Sequence, residues 1–123
     1  MTIKIIEIDP VTKPRMTRRD KWLDPPRPGV AKYRAFKDEL NLLLGDFYLP
    51  DVFDVVFYVP CPPSWSEKKR KEFHNQPHQQ TPDRDNLLKA FQDALLKSDA
   101  RIYDGRVAKF WTNGAGYIVL EWV

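Results

Sequence analysis

"TPDRDNLLKAFQDAL", residues 81–95, passes from a polar, irregular stretch into a helix. From Asn86 onward, Leu87, Leu88, Phe91, Ala94 and Leu95 recur at helical spacing, so a helix with one apolar face is expected to about Lys97. Immediately before it stand two carboxylates, Asp83 and Asp85, one residue apart. In an extended segment such neighbours project to the same side. Asp85 also falls where a helix N-cap belongs, and Lys89 follows one turn later at i+4. A small patch therefore gathers two carboxylates, a helix N-terminus and an ammonium group. Acids held this close repel each other and need a cation or a task that uses their charge.

Working outward from this helix sets the fold. Upstream, "DVFDVVFYVP" (51–60) is rich in Val and Phe and reads as a buried strand ended by Pro60. Before it, Val30 to Leu44 places Tyr33, Phe36, Leu40, Leu43 and Leu44 on one helical face, with Pro28 at the entry and Gly45 at the exit. "TIKIIEI" (2–8) is a first strand. Downstream, "RVAKFW" and "YIVLEWV" are two closing strands, joined through the hairpin signal "TNGAG". The order β-α-β-α-β-β predicts an α+β (mixed α/β) fold: one small domain over residues 1–123, a mixed sheet with two helices packed on it.

Two basic, Pro-rich loops interrupt these elements. Residues 9–29 carry five prolines, and residues 61–82 carry four together with the run "KKRK". Loops of this length in a compact domain are usually functional or disordered. A short helix over "SEKKRKEF" is compatible with the second, because Ser66 suits its cap.

Length and composition limit the function classes. At 123 residues and 42% hydrophobic, with seven Phe, five Tyr and four Trp, the chain has material for one core. No stretch of about 20 apolar residues and no secretory leader is evident, so a soluble cytoplasmic protein without membrane partners is expected. The lone Cys61 fits a reducing compartment and reads as structural. Net charge is only +3 but is unevenly spread. Residues 11–37 hold nine Lys/Arg against Asp20 and Asp24, a local +7, whereas residues 83–104 hold four basic groups against five aspartates, a local −1. A basic arm beside an acidic patch points to a polyanionic partner and a metal-using site, and the bland alternative is a solvated surface.

A third acid, Asp104 in "IYDGRV", has to be brought to the patch by the fold. A helix over residues 86–98 and the six extended residues after it each span about 20 Å, so return within one chain is just within reach, and a partner chain is the alternative. Taken singly, each aspartate is more often a helix cap or a turn residue. Taken together, D-x-D-N-x-x-K followed by D supplies hard oxygen ligands and a phosphate-binding cation, which suits Mg²⁺ with phosphate oxygens.

"DRDNLLKAFQDAL" followed by "YDGRV" resembles the RusA family of Holliday junction endodeoxyribonucleases, common in phages and prophages. The resemblance is specific over residues 83–107; elsewhere it lies in length, element order and the basic "TKPRMTRRD". It implies that Asp83, Asp85 and Asp104 are catalytic carboxylates binding Mg²⁺, with Mn²⁺ as a substitute, and that Lys89 is an essential lysine near the scissile phosphate. It further implies a homodimer that resolves four-way junctions by paired nicks in a bacterial host cell, in recombination and repair. Two departures stand out: Tyr103 occupies a position where members can carry a further acid, and the loop over 61–82 is proline-rich.

DNA contacts are expected from Lys13, Arg15, Arg18, Arg19 and Lys21 in the first loop and from Lys68, Lys69, Arg70 and Lys71 in the second. Trp22 and Trp65, in the same loops, either stack on exposed bases or cover the core. Trp111 and Trp122 lie in strands and read as core. His74 and His78 are four apart but interrupted by Pro77, a poor zinc pair. The reading is a Mg²⁺-dependent structure-selective endonuclease hydrolysing phosphodiesters. Its rivals are a non-catalytic DNA-binding module and a Mg²⁺-dependent nucleotide phosphohydrolase.

Overall fold

A computed structural model describes residues 1–96 and 100–123. Its strands are β1 (Thr2–Ile6), β2 (Asp54–Pro60), β3 (Val107–Thr112) and β4 (Tyr117–Trp122), and its helices are α1 (Pro28–Leu44), α2 (Glu67–Phe73) and α3 (Arg84–Leu95). The expected α+β class holds. The helix end expected at Lys97 lies outside the described residues.

The strands form one mixed sheet in the order β1-β4-β2-β3. β2 runs parallel to β3 and antiparallel to β4, which in turn pairs antiparallel with β1. Parallel neighbours need a crossover, and the long segment carrying α2 and α3 provides it. The expected hairpin between the last two strands is not formed, because β2 lies between them. The turn signal in "TNGAG" marks a reversal of direction without adjacency: residues 113–116 pass around the end of β2, about two strand spacings of roughly 4.8 Å each. Gly116 makes that passage, since a Cβ there would fall 2.6 Å from Asp9 Oδ1 and 3.0 Å from Pro60 Cδ. Its N–H donates to Asp9 Oδ1 at 2.6 Å.

The core lies between one face of the sheet and two helices. Alternation along β2 and β4 turns Val55, Phe57, Ile118 and Leu120 inward. They meet Tyr33, Phe36 and Leu40 of α1 and Leu87, Ala90 and Phe91 of α3. Phe91 is fully buried, 6.2 Å from Phe57 and 6.3 Å from Phe53, and such a side chain contributes about 1.5–3 kcal/mol by leaving water. Leu43, expected on the apolar face of α1, is 50% exposed. Asn41 Nδ2 donates to Ala94 O at 3.0 Å and ties α1 to α3.

The third helix, α2, takes the place the Ser66 cap allowed: Ser66 Oγ accepts from Lys69 N at 3.2 Å. None of its residues is buried. It is anchored through Trp65, whose ring lies 5.0 Å from Phe73 and 4.8 Å from Trp111. No helix among the described residues is long and apolar enough to cross a membrane.

Candidate active site

The start of α3 differs from the sequence expectation. Asp83, not Asp85, is the N-cap residue, and its carbonyl accepts from Asn86 N and Leu87 N, both at 3.1 Å. Asp83's side chain makes no capping bond. Asp85 falls in the first turn with its side chain 92% exposed, 3.8 Å from Arg84 Nε. Once the helix begins at Arg84, two residues correspond to about 200° of rotation, so Asp83 and Asp85 are not held on one side by extended backbone. Both still sit at the positive end of the helix dipole.

Asp104 is carried to α3 by its own chain. Val52 and Asp104 form an isolated parallel bridge that continues the β2–β3 pairing backward, and Tyr103 N donates to Asp51 O at 3.3 Å. An Arg101–Asp51 ion pair holds the same return. The approach makes a glycine necessary at position 105: its φ is +143°, and a Cβ there would lie 1.8 Å from Phe53 O. What reads as an ordinary Asp-Gly turn is thus a close backbone crossing that fixes Asp104. Asp104 Oδ1 accepts from Gly105 N at 2.9 Å. Asp104 lines a cleft of about 420 Å³ with Leu88 and Gln92 of α3.

On a helical projection, at about 100° per residue, Leu88 and Gln92 form the flank toward Asp104. Asp85 and Lys89 lie along the exposed crest, and Asn86 and Asp93 form the opposite flank. Lys89 does not lean back on Asp85. Its Nζ stands 3.7 Å from Asp93 Oδ2, an oxygen that also takes Lys13 Nζ at 2.6 Å. Lys89 and Asn86 line a second cleft with Lys13, Arg15 and Met16. Asp85 on the crest therefore lies between the cleft that holds Asp104 and a basic cleft that Lys89 itself lines.

The basic arm is built around an acid that the sequence reading missed. Asp20 is only 1% exposed. It accepts from Arg27 Nε and Nη2, both at 2.7 Å, and from Thr17 N at 2.6 Å, while Arg27 Nη2 reaches Arg15 O at 2.9 Å. The Arg27 guanidinium, with the Thr17 N–H, holds the Asp20 carboxyl far below the usual aspartate range. One acid amid a run of cations was the available signal. The knot leaves Arg15, Arg18, Arg19 and Lys21 exposed, with Trp22 79% exposed beneath Lys21. Lys13, by contrast, ties the arm to α3.

In the second loop Lys68, Lys69 and Lys71 are exposed, and Arg70 is half-buried. Lys69 Nζ lies 4.2 Å from the Trp65 ring, so Trp65 packs rather than standing free. The two histidines do not form a pair. His74 Nδ1 accepts from Asn113 N at 2.9 Å, whereas His78 is buried and stacked 3.7 Å from Trp111. Cys61 is buried, and burial pushes its thiol pKa up.

Asp83, Asp85 and Asp104 are all exposed carboxylates, and hard oxygen donors are what a divalent cation such as Mg²⁺ takes. Among the described residues, however, no group of three or more His, Cys, Asp or Glu is gathered closely enough to hold a metal ion. Donor chemistry fits; convergence on one point is not present in the single chain. The family model for endodeoxyribonuclease RusA matches residues 7–119. No curated protein matches the chain.

Proposed function

Because the chain belongs to the RusA endodeoxyribonuclease family, we propose that it resolves four-way DNA junctions by hydrolysing phosphodiesters with a divalent cation, Mg²⁺ or in its place Mn²⁺. The observation that supports this reading is the crest of α3: Asp85 faces solvent between the cleft of Asp104 and the cleft of the basic arm, and Lys89 lines the latter. Asp83, Asp85 and Asp104 are the carboxylates that would hold the cation, whose chemistry is to polarise the scissile phosphate and lower the pKa of an attacking water. Lys89, one helical turn after Asp85, would offset negative charge that develops on the phosphate. Arg15, Arg18, Arg19 and Lys21, with Lys68, Lys69, Arg70 and Lys71, bind the backbone of the junction arms. Paired nicks need two sites related by symmetry, so a homodimer is part of the proposal. So is action in the cytoplasm of a bacterial host, with a phage or prophage origin.

The test is a single-turnover assay on a synthetic four-way junction with excess linear duplex and Mg²⁺. Two symmetric nicks are expected. Asp83→Asn, Asp85→Asn and Asp104→Asn should each abolish cleavage yet bind the junction as tightly or more so, because losing an anion relieves repulsion from phosphates. The failure of the three carboxylates to converge favours one rival, a DNA-binding module without catalysis. Junction binding by the wild type with no Mg²⁺-dependent nick would establish that rival.

A further inference from the structure

We infer that Lys109 is a positioning residue for the acidic end of α3, which rests on the assignment of Asp83 and Asp85 as cation ligands. Lys109 lies in β3, opposite Phe57 in the parallel pairing, so its side chain leaves the sheet on the face that carries the helices. It is half-buried, and its Nζ donates to Gln80 O at 2.5 Å and to Pro82 O at 2.6 Å. Those carbonyls belong to the residues just ahead of Asp83.

The way the approach to α3 is held makes this contact matter. Residues 75–78 run along the free edge of β3 by backbone bonds: Asn75 N to Trp111 O, Trp111 N to Gln76 O and His78 N to Lys109 O. From Asp83 onward the helix holds itself. Between these two stretches, residues 79–82 contain a proline and have no backbone ladder. Among the described residues, their hydrogen bonds to the sheet are the two from the Lys109 ammonium. Each is a charge-assisted bond, roughly twice as strong as a neutral one. A second tie, Arg84 Nη1 to Val107 O at 3.3 Å, is longer and comes from the exposed side of the helix. One cation on a rigid strand thus sets where the chain enters α3, and with it the placement of Asp83 and Asp85 relative to Asp104 beside the same strand. A partner that orients metal ligands without touching the metal is typically worth about 10- to 100-fold in metal affinity or activity.

The experiment compares wild type, Lys109→Met and Lys109→Arg. Methionine keeps the stem and removes the donors; arginine restores donors that can serve two carbonyls. Lys109→Met should slow single-turnover junction cleavage by about 10-fold or more and weaken Mn²⁺ binding, read by electron paramagnetic resonance, by a similar factor. Its metal-free junction affinity should stay within about threefold of wild type, on the order of one phosphate contact or less. Lys109→Arg should recover most of both losses. Unchanged Mn²⁺ affinity and cleavage in Lys109→Met would overturn the inference, as would losses that arginine does not recover. The Mn²⁺ readout separates this from the functional reading. A protein that binds Mn²⁺ through Asp83 and Asp85 but does not cut junctions sinks that reading, and weaker Mn²⁺ binding by Lys109→Met would still support positioning. A wild type that binds no Mn²⁺ overturns both.

Discussion

Lys89 and Asp93 pair across one turn of α3, with 3.7 Å between Nζ and Oδ2. The pair is exposed on the lysine side, and such i,i+4 pairs contribute only about 0.3–0.5 kcal/mol. Losing it should leave the fold intact. If Lys89 instead faces the scissile phosphate, its charge is worth about 2.7–4 kcal/mol in the transition state, or a hundred- to thousandfold in rate. Lys89→Ala is therefore expected to melt close to wild type and bind junctions, yet to cleave at least about a hundredfold slower. Asp93→Asn supplies the control: it releases Lys89, and with it Lys13, from their shared partner and should retain cleavage. A Lys89→Ala rate within a few-fold of wild type would return this lysine to the helix surface.

The basic arm divides into cations that hold structure and cations that face solvent. Arg27 is engaged by Asp20 and Lys13 by Asp93. Arg15, Arg18, Arg19 and Lys21 are exposed around that knot. Neutralising these four in pairs should weaken junction binding and flatten its salt dependence, by about one slope unit for each phosphate that is no longer neutralised. Arg27→Gln should act differently, making the arm more open to proteolysis because buried Asp20 loses its partner. A salt slope that stays at the wild-type value in all the paired variants would mark the arm as merely solvated.

How far the sequence could be read follows from the range of the forces involved. Both long helices were legible from 3.6-residue periodicity, and so were all four strands, because these patterns are local. Strand adjacency was not. "TNGAG" encodes a reversal, and whether its flanking strands touch depends on β2, which lies more than fifty positions upstream and takes the place between them. The three acids could be picked out of the sequence but their placement could not, because the helix starts at Arg84 and makes Asp83 its N-cap. The route of Asp104 to α3 hung on Gly105, whose role emerges only when Phe53 O lies against it. Asp20 and Lys109 were missed for a related reason: their partners are backbone groups and side chains that a linear pattern does not display.

Gly105 offers a test of that route. Any Cβ there meets the Phe53 carbonyl at 1.8 Å, and the φ of +143° is strained for other residues. Backbone strain of this kind costs about 1–3 kcal/mol before the clash is counted. Gly105→Ala should lower the melting temperature by several degrees and, if it folds, displace Asp104 from the cleft beside Leu88 and Gln92. Cleavage should then fall further than in a variant of equal stability loss made in the core, such as Leu40→Val. Equal activity in two such stability-matched variants would mean that Gly105 serves folding alone.

His78 sets the expected response to acid. It is buried against Trp111, and its Nε2 has no hydrogen-bond partner among the described residues. Burial, with Lys109 nearby, lowers its pKa from the ordinary 6.5. The unfolded chain therefore takes up a proton near pH 6.5 while the folded chain does not, so stability is level above that value and falls as pH drops through it. His78→Phe keeps a ring to stack on Trp111 and removes both the titration and the unpartnered nitrogen. Melting temperatures between pH 5 and 8 should fall on the acid side for the wild type and run flatter for His78→Phe, with the variant at least as stable at pH 5. Because residues 75–78 lie along β3 just ahead of the Lys109 contacts, the same acid limb should also loosen the entry to α3. If both proteins lose stability in parallel below pH 6.5, the acid response belongs to other groups, and His78 is only part of the packing.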